Sequence, residues 1–156
     1  MKARIRLVLG EAATPLFRAW MRMSRPMTLG VRALVFDEAG RVGLVRHTYK
    51  RGWHLPGGGV ERGETAALSI VRECREELGA DPLQTALVGV FRNPTFAGDH
   101  IVLYQVSAWR ACETDSEGEI AETGWFDPHD LPEAVTPATR RRLAEWREKR
   151  DPPEDW

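Results

Sequence analysis

Glutamates are crowded into one short stretch of the sequence. Glu73, Glu76 and Glu77 stand three and four residues apart, a spacing that brings side chains together on a helix. Neighbouring carboxylates repel one another unless a cation neutralises them. Because the set contains no His or Cys, its oxygen ligands favour a hard ion such as Mg²⁺, which keeps coordination positions for water and substrate phosphates. These residues therefore predict a metal site whose substrate contains phosphate groups.

The elements around the glutamates are arranged to position such a site. The segment "LPGGG" precedes them, and its glycines let backbone groups approach an ion or a phosphate closely. A helix is expected over Thr65–Leu78, capped by Thr65 and ended by Gly79. At helical spacing, we expect its buried face to carry Ile70, Cys74, Ala67, Leu78, Val71 and Leu68, with the three glutamates opposite.

The remaining pattern predicts strands and one more helix. Apolar, β-branched runs bounded by turn residues predict strands at 28–36, 41–45, 85–91, 100–109 and 120–126, the first two forming a hairpin. A closing helix is expected over Pro137–Arg150. Hairpins interleaved with helices indicate an α/β or α+β sandwich with a mixed sheet.

Composition indicates an ordinary soluble chain. The 156 residues carry 29% charged side chains and a net charge of -1, which suits one domain, expected at residues 27–150. Cys74 and Cys112 lack the spacing of a zinc site or a disulfide framework, so a reducing cytoplasm is expected. No stretch has the length of a signal-peptide core or a membrane span. Residues 151–156 are expected to form a flexible tail.

Residues 1–26 form a basic extension. They carry five more positive than negative charges, and apolar residues at helical spacing predict a short amphipathic helix at residues 14–23. This segment is either a surface for RNA, anionic lipid or a protein partner, or a helix packed on the domain with solvated arginines.

The glutamate stretch carries a longer pattern of fixed spacing. It reads G-x5-E-x7-R-E-U-x-E-E-x-G-U, with U an aliphatic residue, at Gly58, Glu64, Arg72, Glu73, Glu76, Glu77 and Gly79. This is the signature of the Nudix hydrolases, and the chain resembles that family over residues 28–134. Cys74 and Ala80 stand at the aliphatic positions, where they should affect packing and not chemistry. The resemblance implies an αβα sandwich that hydrolyses a nucleoside diphosphate linked to another group, with Mg²⁺ or Mn²⁺.

The resemblance also implies roles for individual residues. Glu76 and Glu77 would bind the metal, Glu73 would be a ligand or the general base, and the Gly57 carbonyl would join the coordination shell. Glu64 and Arg72 would orient the cluster, and Arg72 stands four residues before Glu76, within reach of its carboxylate. A general base on a late loop is the alternative. Of the candidates Glu117, Glu119 and Glu122, Glu119 is preferred.

The sequence leaves the substrate open. A nucleoside triphosphate or a nucleotide sugar such as ADP-ribose is expected; the alternatives are a nucleotide-sensing module without turnover and an RNA 5′-end pyrophosphohydrolase. Candidate contacts to phosphate or ribose are Arg46, Arg51, Arg92 and His100, and Trp53 or Phe96 could stack on a base. Each of these side chains could instead be packed or solvated. A homodimer also remains open.

Overall fold

The structure, a computed structural model, describes residues 27–116 and 118–156. The basic extension at residues 1–26, with its predicted helix, lies outside the described residues, as does Glu117. In the part of the chain that is described, no helix combines the length and the apolar character needed to cross a membrane.

Among the described residues, five strands form two sheets. They are β1 (Thr28–Val35), β2 (Val42–His47), β3 (Ala80–Arg92), β4 (Asp99–Ala111) and β5 (Ile120–Phe126). β4 lies between β1 and β3, parallel to β1 and antiparallel to β3. β2 and β5 pair antiparallel in the second sheet. The predicted mixed sheet is confirmed.

Residues 27–116 and 118–156 also contain two helices. α1 (Ala66–Glu73) runs directly into a π-helical turn, Cys74–Leu78, and α2 (Pro137–Glu148) follows the last strand. The Thr65 hydroxyl accepts a hydrogen bond from the Leu68 N–H at 3.2 Å, and Gly79 ends the helical segment with a left-handed φ of 67°. Both predicted helix boundaries of the glutamate segment are confirmed.

The core lies on both faces of the strands. In β1, Ala33 and Val35 pack in one cluster with Ile70 of α1, whereas Leu34 packs in a second cluster with Leu143 of α2. Successive strand side chains point to opposite faces, so a strand buried between two layers contributes to both clusters. This arrangement is the αβα sandwich that the family resemblance implies.

The predicted hairpin of the first two strands is wrong. β1 and β2 meet at a bridge between Phe36 and Val42 and then diverge into different sheets. The loop at residues 56–60 occupies an edge of β1, where the Val31 N–H donates to the Gly58 carbonyl at 2.8 Å. A strand edge bonded to this loop has no free groups for β2, so the glycine loop lies where the hairpin partner would be.

The predicted faces of the glutamate helix need correction. Glu77 is only 6% exposed, whereas Leu68 is 61% exposed, and Ala67 is also exposed. Ile70 and Glu77 are seven residues apart, close to two full turns, so Glu77 shares the buried side with Ile70. Leu68 lies nearly opposite Ile70. The carboxylates consequently border the core instead of facing away from it.

The end of the described chain is also ordered differently from the expectation. Residues 151–156, expected to be flexible, return to β3, where Asp155 forms a bridge with Arg92. The Trp156 indole packs edge-on against Phe91 with ring centroids 5.4 Å apart. A paired carboxylate and a half-buried indole offset the loss of chain entropy that leaves most termini frayed.

Candidate active site

The glycine loop lies directly over the glutamate helix. Gly57 has a φ of 139°, and a Cβ there would collide with the carbonyl of Val31. A Cβ on Gly58 would collide with the carboxylate of Glu73. Only glycine permits this backbone path, and the absence of side chains brings the loop into contact with the carboxylates.

The glycine loop also holds Glu77 through a backbone hydrogen bond. The Gly57 N–H donates to Glu77 Oε2 at 2.7 Å, and His47 Nδ1 lies 3.7 Å from Glu77 Oε1. Burial raises the pKa of Glu77 to about 7, because desolvation outweighs the Gly57 hydrogen bond and the nearby Arg32 charge. Burial lowers the pKa of His47 to about 4, so the imidazole is neutral at pH 7 and does not neutralise the carboxylate.

Arg72 links the other three glutamates. Its Nε and Nη2 donate to the two oxygens of Glu64, both at 3.1 Å, and its Nη1 donates to Glu73 at 2.8 Å and to Glu76 at 3.1 Å. These hydrogen bonds lower the pKa of Glu64 and raise the pKa of Arg72. The planar guanidinium fixes three carboxylates at once, which a lysine could not do.

The ionised form of Glu73 remains destabilised by burial even though Arg72 is bonded to it. It is 8% exposed, and burial raises its pKa even though Arg72 acts in the opposite direction. Glu73 and Glu77 therefore lie side by side, both desolvated and both more stable with added positive charge.

These carboxylates fit a hard divalent cation. Among the described residues, no three His, Cys, Asp or Glu side chains converge closely enough to hold a metal as they stand, since Arg72 and Gly57 engage the carboxylates. The donor set is nonetheless all oxygen, and two of its members are buried without sufficient positive charge. Glu73, Glu76, Glu77 and the Gly57 carbonyl are the groups that would hold Mg²⁺ or Mn²⁺.

A cleft of about 760 Å³ opens beside these carboxylates. Gly57, Glu73, Glu77 and Glu119 line it at one end. Cationic side chains of Arg32, Lys50 and Arg141 also line it, together with the polar groups of Asn93, Thr95, Thr136 and Thr139. A cavity with carboxylates at one end and cations along its walls suits a metal-bound polyanion.

The structure brings together the predicted catalytic and metal-binding residues. Glu73, Glu77 and Glu119 line both this cleft and an adjoining cavity that Glu76 and Arg72 also line. Glu64 lies behind Arg72 and contacts the site through that guanidinium. Glu119 is exposed at the margin, where its charge contributes to the raised pKa of Glu77.

The predicted substrate contacts lie elsewhere: Arg46, Arg51, Trp53, Arg92 and His100 are absent from the lining of this cleft. Arg46 pairs with Glu122 on the neighbouring strand, and Arg92 pairs with Asp155. Trp53 is buried in the core against Phe126. Arg51 is exposed, and its backbone carbonyl accepts a hydrogen bond from the His54 imidazole. His100 lies within β4.

Several cleft residues escaped the sequence analysis. Arg32 is a single charge within the apolar strand "VRALV", and such an interruption is a signal that could have been used. Burial lowers the pKa of Arg32, while Glu77 and Glu73 act in the opposite direction. Arg141 and Trp156 carry no comparable signal, because they reach the cleft through contacts distant in sequence.

Comparison with known proteins agrees with this geometry. Residues 26–147 match the model of the NUDIX domain family. A Bacillus subtilis (strain 168) protein provisionally named an 8-oxo-dGTP diphosphatase is 30% identical over 121 residues, covering 77% of this chain and 80% of that protein. An ADP-ribose pyrophosphatase of Methanocaldococcus jannaschii is 33% identical, covering 63% of this chain and 61% of that protein.

A solved structure shows the same fold. The MutT NUDIX hydrolase of Burkholderia pseudomallei superimposes with a TM-score of 0.63 at 29% identity, covering 75% of this chain and 95% of that one. The glycine loop, the Arg72 fork and the buried glutamates stand within the matched region. The chain therefore belongs to the Nudix hydrolase family.

Proposed function

We propose that this protein hydrolyses a phosphoanhydride bond of a nucleoside diphosphate linked to another group, with Mg²⁺ or Mn²⁺ as cofactor. Nucleoside triphosphates are the first substrate class, and nucleotide sugars such as ADP-ribose are the second. The observation that carries the proposal is the pair of buried carboxylates, Glu73 and Glu77, at the end of a cleft lined by cationic side chains.

The chain's own groups support a simple hydrolysis. A water oxygen adds to one phosphorus, the bridging P–O bond breaks, and the leaving phosphate carries away the bonding electrons. Glu73, buried beside the reaction space, accepts the proton of that water, and Arg72 holds its carboxylate in place. A bound divalent ion supplies neutralisation of the phosphate charge and a more acidic water.

Arg32 and Lys50 bind the polyphosphate along the cleft, whereas Arg141 donates to the Trp156 carbonyl. Glu119, at the exposed margin of the same cleft, is the alternative proton acceptor. Separate Glu73→Gln and Glu119→Gln variants distinguish the two. A general base must be ionised to accept a proton, so the variant that removes the base loses the acidic limb, the fall in kcat at low pH.

A substrate panel tests the proposal. Nucleoside triphosphates, nucleotide sugars, dinucleotides and 5′-triphosphorylated RNA are incubated with the full chain and Mg²⁺, and products are separated by chromatography. Turnover that EDTA abolishes and added Mg²⁺ restores is expected for at least one small nucleotide. Binding without turnover across the panel would instead support the sensing module.

The similarity to the ADP-ribose pyrophosphatase of M. jannaschii supports nucleotide sugars as a substrate class. The two classes give different products: a triphosphate yields a nucleoside monophosphate and pyrophosphate, whereas ADP-ribose yields AMP and ribose 5-phosphate. The ratio of kcat/KM for the two substrates ranks them.

A further inference from the structure

The last residues of the chain are fastened beside the cleft by several bonds. The Trp156 N–H donates to the Arg92 carbonyl at 2.9 Å, and the Arg92 N–H donates to the Glu154 carbonyl at 2.9 Å. The Arg92 guanidinium donates to both oxygens of Asp155, at 2.8 and 2.9 Å. Residues 154–156 are thereby held along the end of β3 in a defined register.

The Trp156 side chain packs against an aromatic ring and a buried guanidinium. Its ring meets Phe91 at an interplanar angle of 73°, and the Arg142 guanidinium lies 5.4 Å from its ring centroid. Arg142 is 1% exposed and lies 4.4 Å from the Phe91 ring centroid, so it forms a rigid support for the indole. Arg141 donates to the Trp156 carbonyl at 2.7 Å.

Trp156 lines the same cleft as the glutamates but is held by Arg92 and Arg141, not by the glutamate helix. The same cleft contains Glu73 and Glu77 at its carboxylate end, and Thr136 and Thr139 at the start of α2. A substrate whose phosphates lie at Glu73 and Glu77 extends its remaining part along the cleft. Trp156 and the threonines are therefore placed to meet the nucleoside and not the reacting phosphorus.

We propose that Trp156 forms a nucleobase-contacting wall of the cleft, held in place by the Arg92–Asp155 ion pair. The inference rests on the proposed function, because it assigns the nucleoside end of the same site. An aromatic ring binds any base through its π-face. Thr136 and Thr139, whose hydroxyls are hydrogen-bonded to each other at 2.9 Å, line the same cleft. Arg92 is then a positioning residue that acts through Asp155.

Kinetics of the full chain with Trp156→Ala test this role. We expect the KM for the best nucleotide to rise about tenfold, the scale of one base–aromatic contact, with kcat nearly unchanged. Competitive inhibition by the nucleoside monophosphate should weaken by a similar factor, whereas inhibition by inorganic pyrophosphate should stay the same. Trp156→Phe should recover most of the affinity.

Two further variants separate positioning from folding. Asp155→Asn weakens the ion pair to Arg92 while leaving the indole present, so it should raise the KM in the same direction by a smaller factor. Glu154→Gln is the matched control, since Glu154 is exposed and bonds Arg92 through its backbone carbonyl. Its KM and both inhibition constants should equal those of the wild type.

Three results would overturn the assignment of Trp156. The first is a Trp156→Ala variant whose KM and monophosphate inhibition constant equal those of the wild type. The second is a Trp156→Ala variant that loses inhibition by monophosphate and by pyrophosphate equally, which indicates a general disturbance of the cleft. The third is a full loss of affinity in Trp156→Phe. If the wild type turns over no nucleotide, the proposed function fails instead, and equilibrium dialysis with the monophosphate still decides whether Trp156 contacts a base.

Discussion

At the scale of single residues, two different interactions hold the crowded carboxylates. Arg72 bonds Glu64, Glu73 and Glu76 through one guanidinium, whereas Glu77 receives a backbone N–H from Gly57. The first arrangement neutralises part of the negative charge and fixes the geometry of the three carboxylates. The second leaves Glu77 with a raised pKa, so this carboxylate retains the greatest capacity to gain from an added cation.

The Arg72 fork gives a first prediction. Arg72→Lys keeps the positive charge but cannot bond three carboxylates in one plane, so kcat/KM should fall roughly 10- to 100-fold. Arg75→Lys is the matched control, because Arg75 lies on the same helical segment and pairs with Asp81 outside the cleft. Steady-state kinetics of the two variants should differ clearly; equal activities would remove Arg72 from the positioning role.

The buried Glu77 predicts an unusual pH dependence of stability without metal. Its folded pKa is about 7, above its ordinary value of 4.5, so the folded apoprotein holds a proton that the unfolded chain releases. The stabilisation is therefore fully present below pH 4.5 and is lost as the pH rises through 7. In EDTA, this group should lower the free energy of unfolding by roughly 3 kcal/mol between pH 4.5 and pH 8.

Urea unfolding of wild type and Glu77→Gln in EDTA measures this contribution. The variant has no carboxylate to ionise, so its stability should exceed that of the wild type at pH 8, and the difference should shrink toward pH 5. An identical pH slope in the two proteins would show that Glu77 is not buried as a strained carboxylate.

At the scale of elements, the loop at residues 56–60 joins the sheet to the glutamate helix. It bonds β1 through Val31 and bonds the helix through Glu77. The loop therefore sets the distance between the strand and the carboxylates, and changes in its backbone should affect stability and catalysis together.

Substitution of Gly57 by Ala tests this coupling. Gly57 combines a φ of 139° with a predicted collision between the new Cβ and Val31, so the variant should lose on the order of 2 kcal/mol or more and most activity. Gly59→Ala is the control for stability, because an added Cβ meets nothing within 4 Å there. Thermal melts that show equal losses for both would contradict the close approach at Gly57.

Some of these elements could be predicted from local sequence patterns and others could not. The helix caps Thr65 and Gly79 follow from local backbone preferences and are found as predicted. The partner of β1 is decided by the glycine loop, a contact that hydrophobic periodicity does not encode. Glu77 lies on the buried side of its helix, opposite to the side predicted from the sequence, and its seven-residue spacing from Ile70 accounts for that position.

At the scale of the whole molecule, the cleft is assembled from both ends of the described chain. Thr28 of β1 and Trp156 line the same cavity as the central glutamates. The Arg92–Asp155 pair joins residues 63 positions apart, and such contacts depend on the complete fold. This explains why the residues of the candidate site could be proposed from one motif, whereas the cleft walls could not.

The basic residues before Met27 give a prediction at this scale. Removal of residues 1–25 should leave turnover of small nucleotides unchanged, because the match to the NUDIX domain begins at residue 26 and the glycine loop and glutamates lie within it. Kinetics of the shortened and full chains on a nucleoside triphosphate and on 5′-triphosphorylated RNA check this expectation. Selective loss of the RNA activity, with a steep salt dependence in the full chain, would support the RNA substrate.

Turnover of the best nucleotide against free Mg²⁺ concentration tests the central claim most directly. The wild type should be inactive in EDTA and saturate with Mg²⁺, while Glu77→Gln should lose roughly 10²- to 10⁴-fold in kcat. Glu38→Gln, in the exposed turn after β1, should match the wild type. Turnover that persists in EDTA, or a wild-type rate in Glu77→Gln, would contradict the assignment of the buried glutamates as a metal-dependent hydrolytic site.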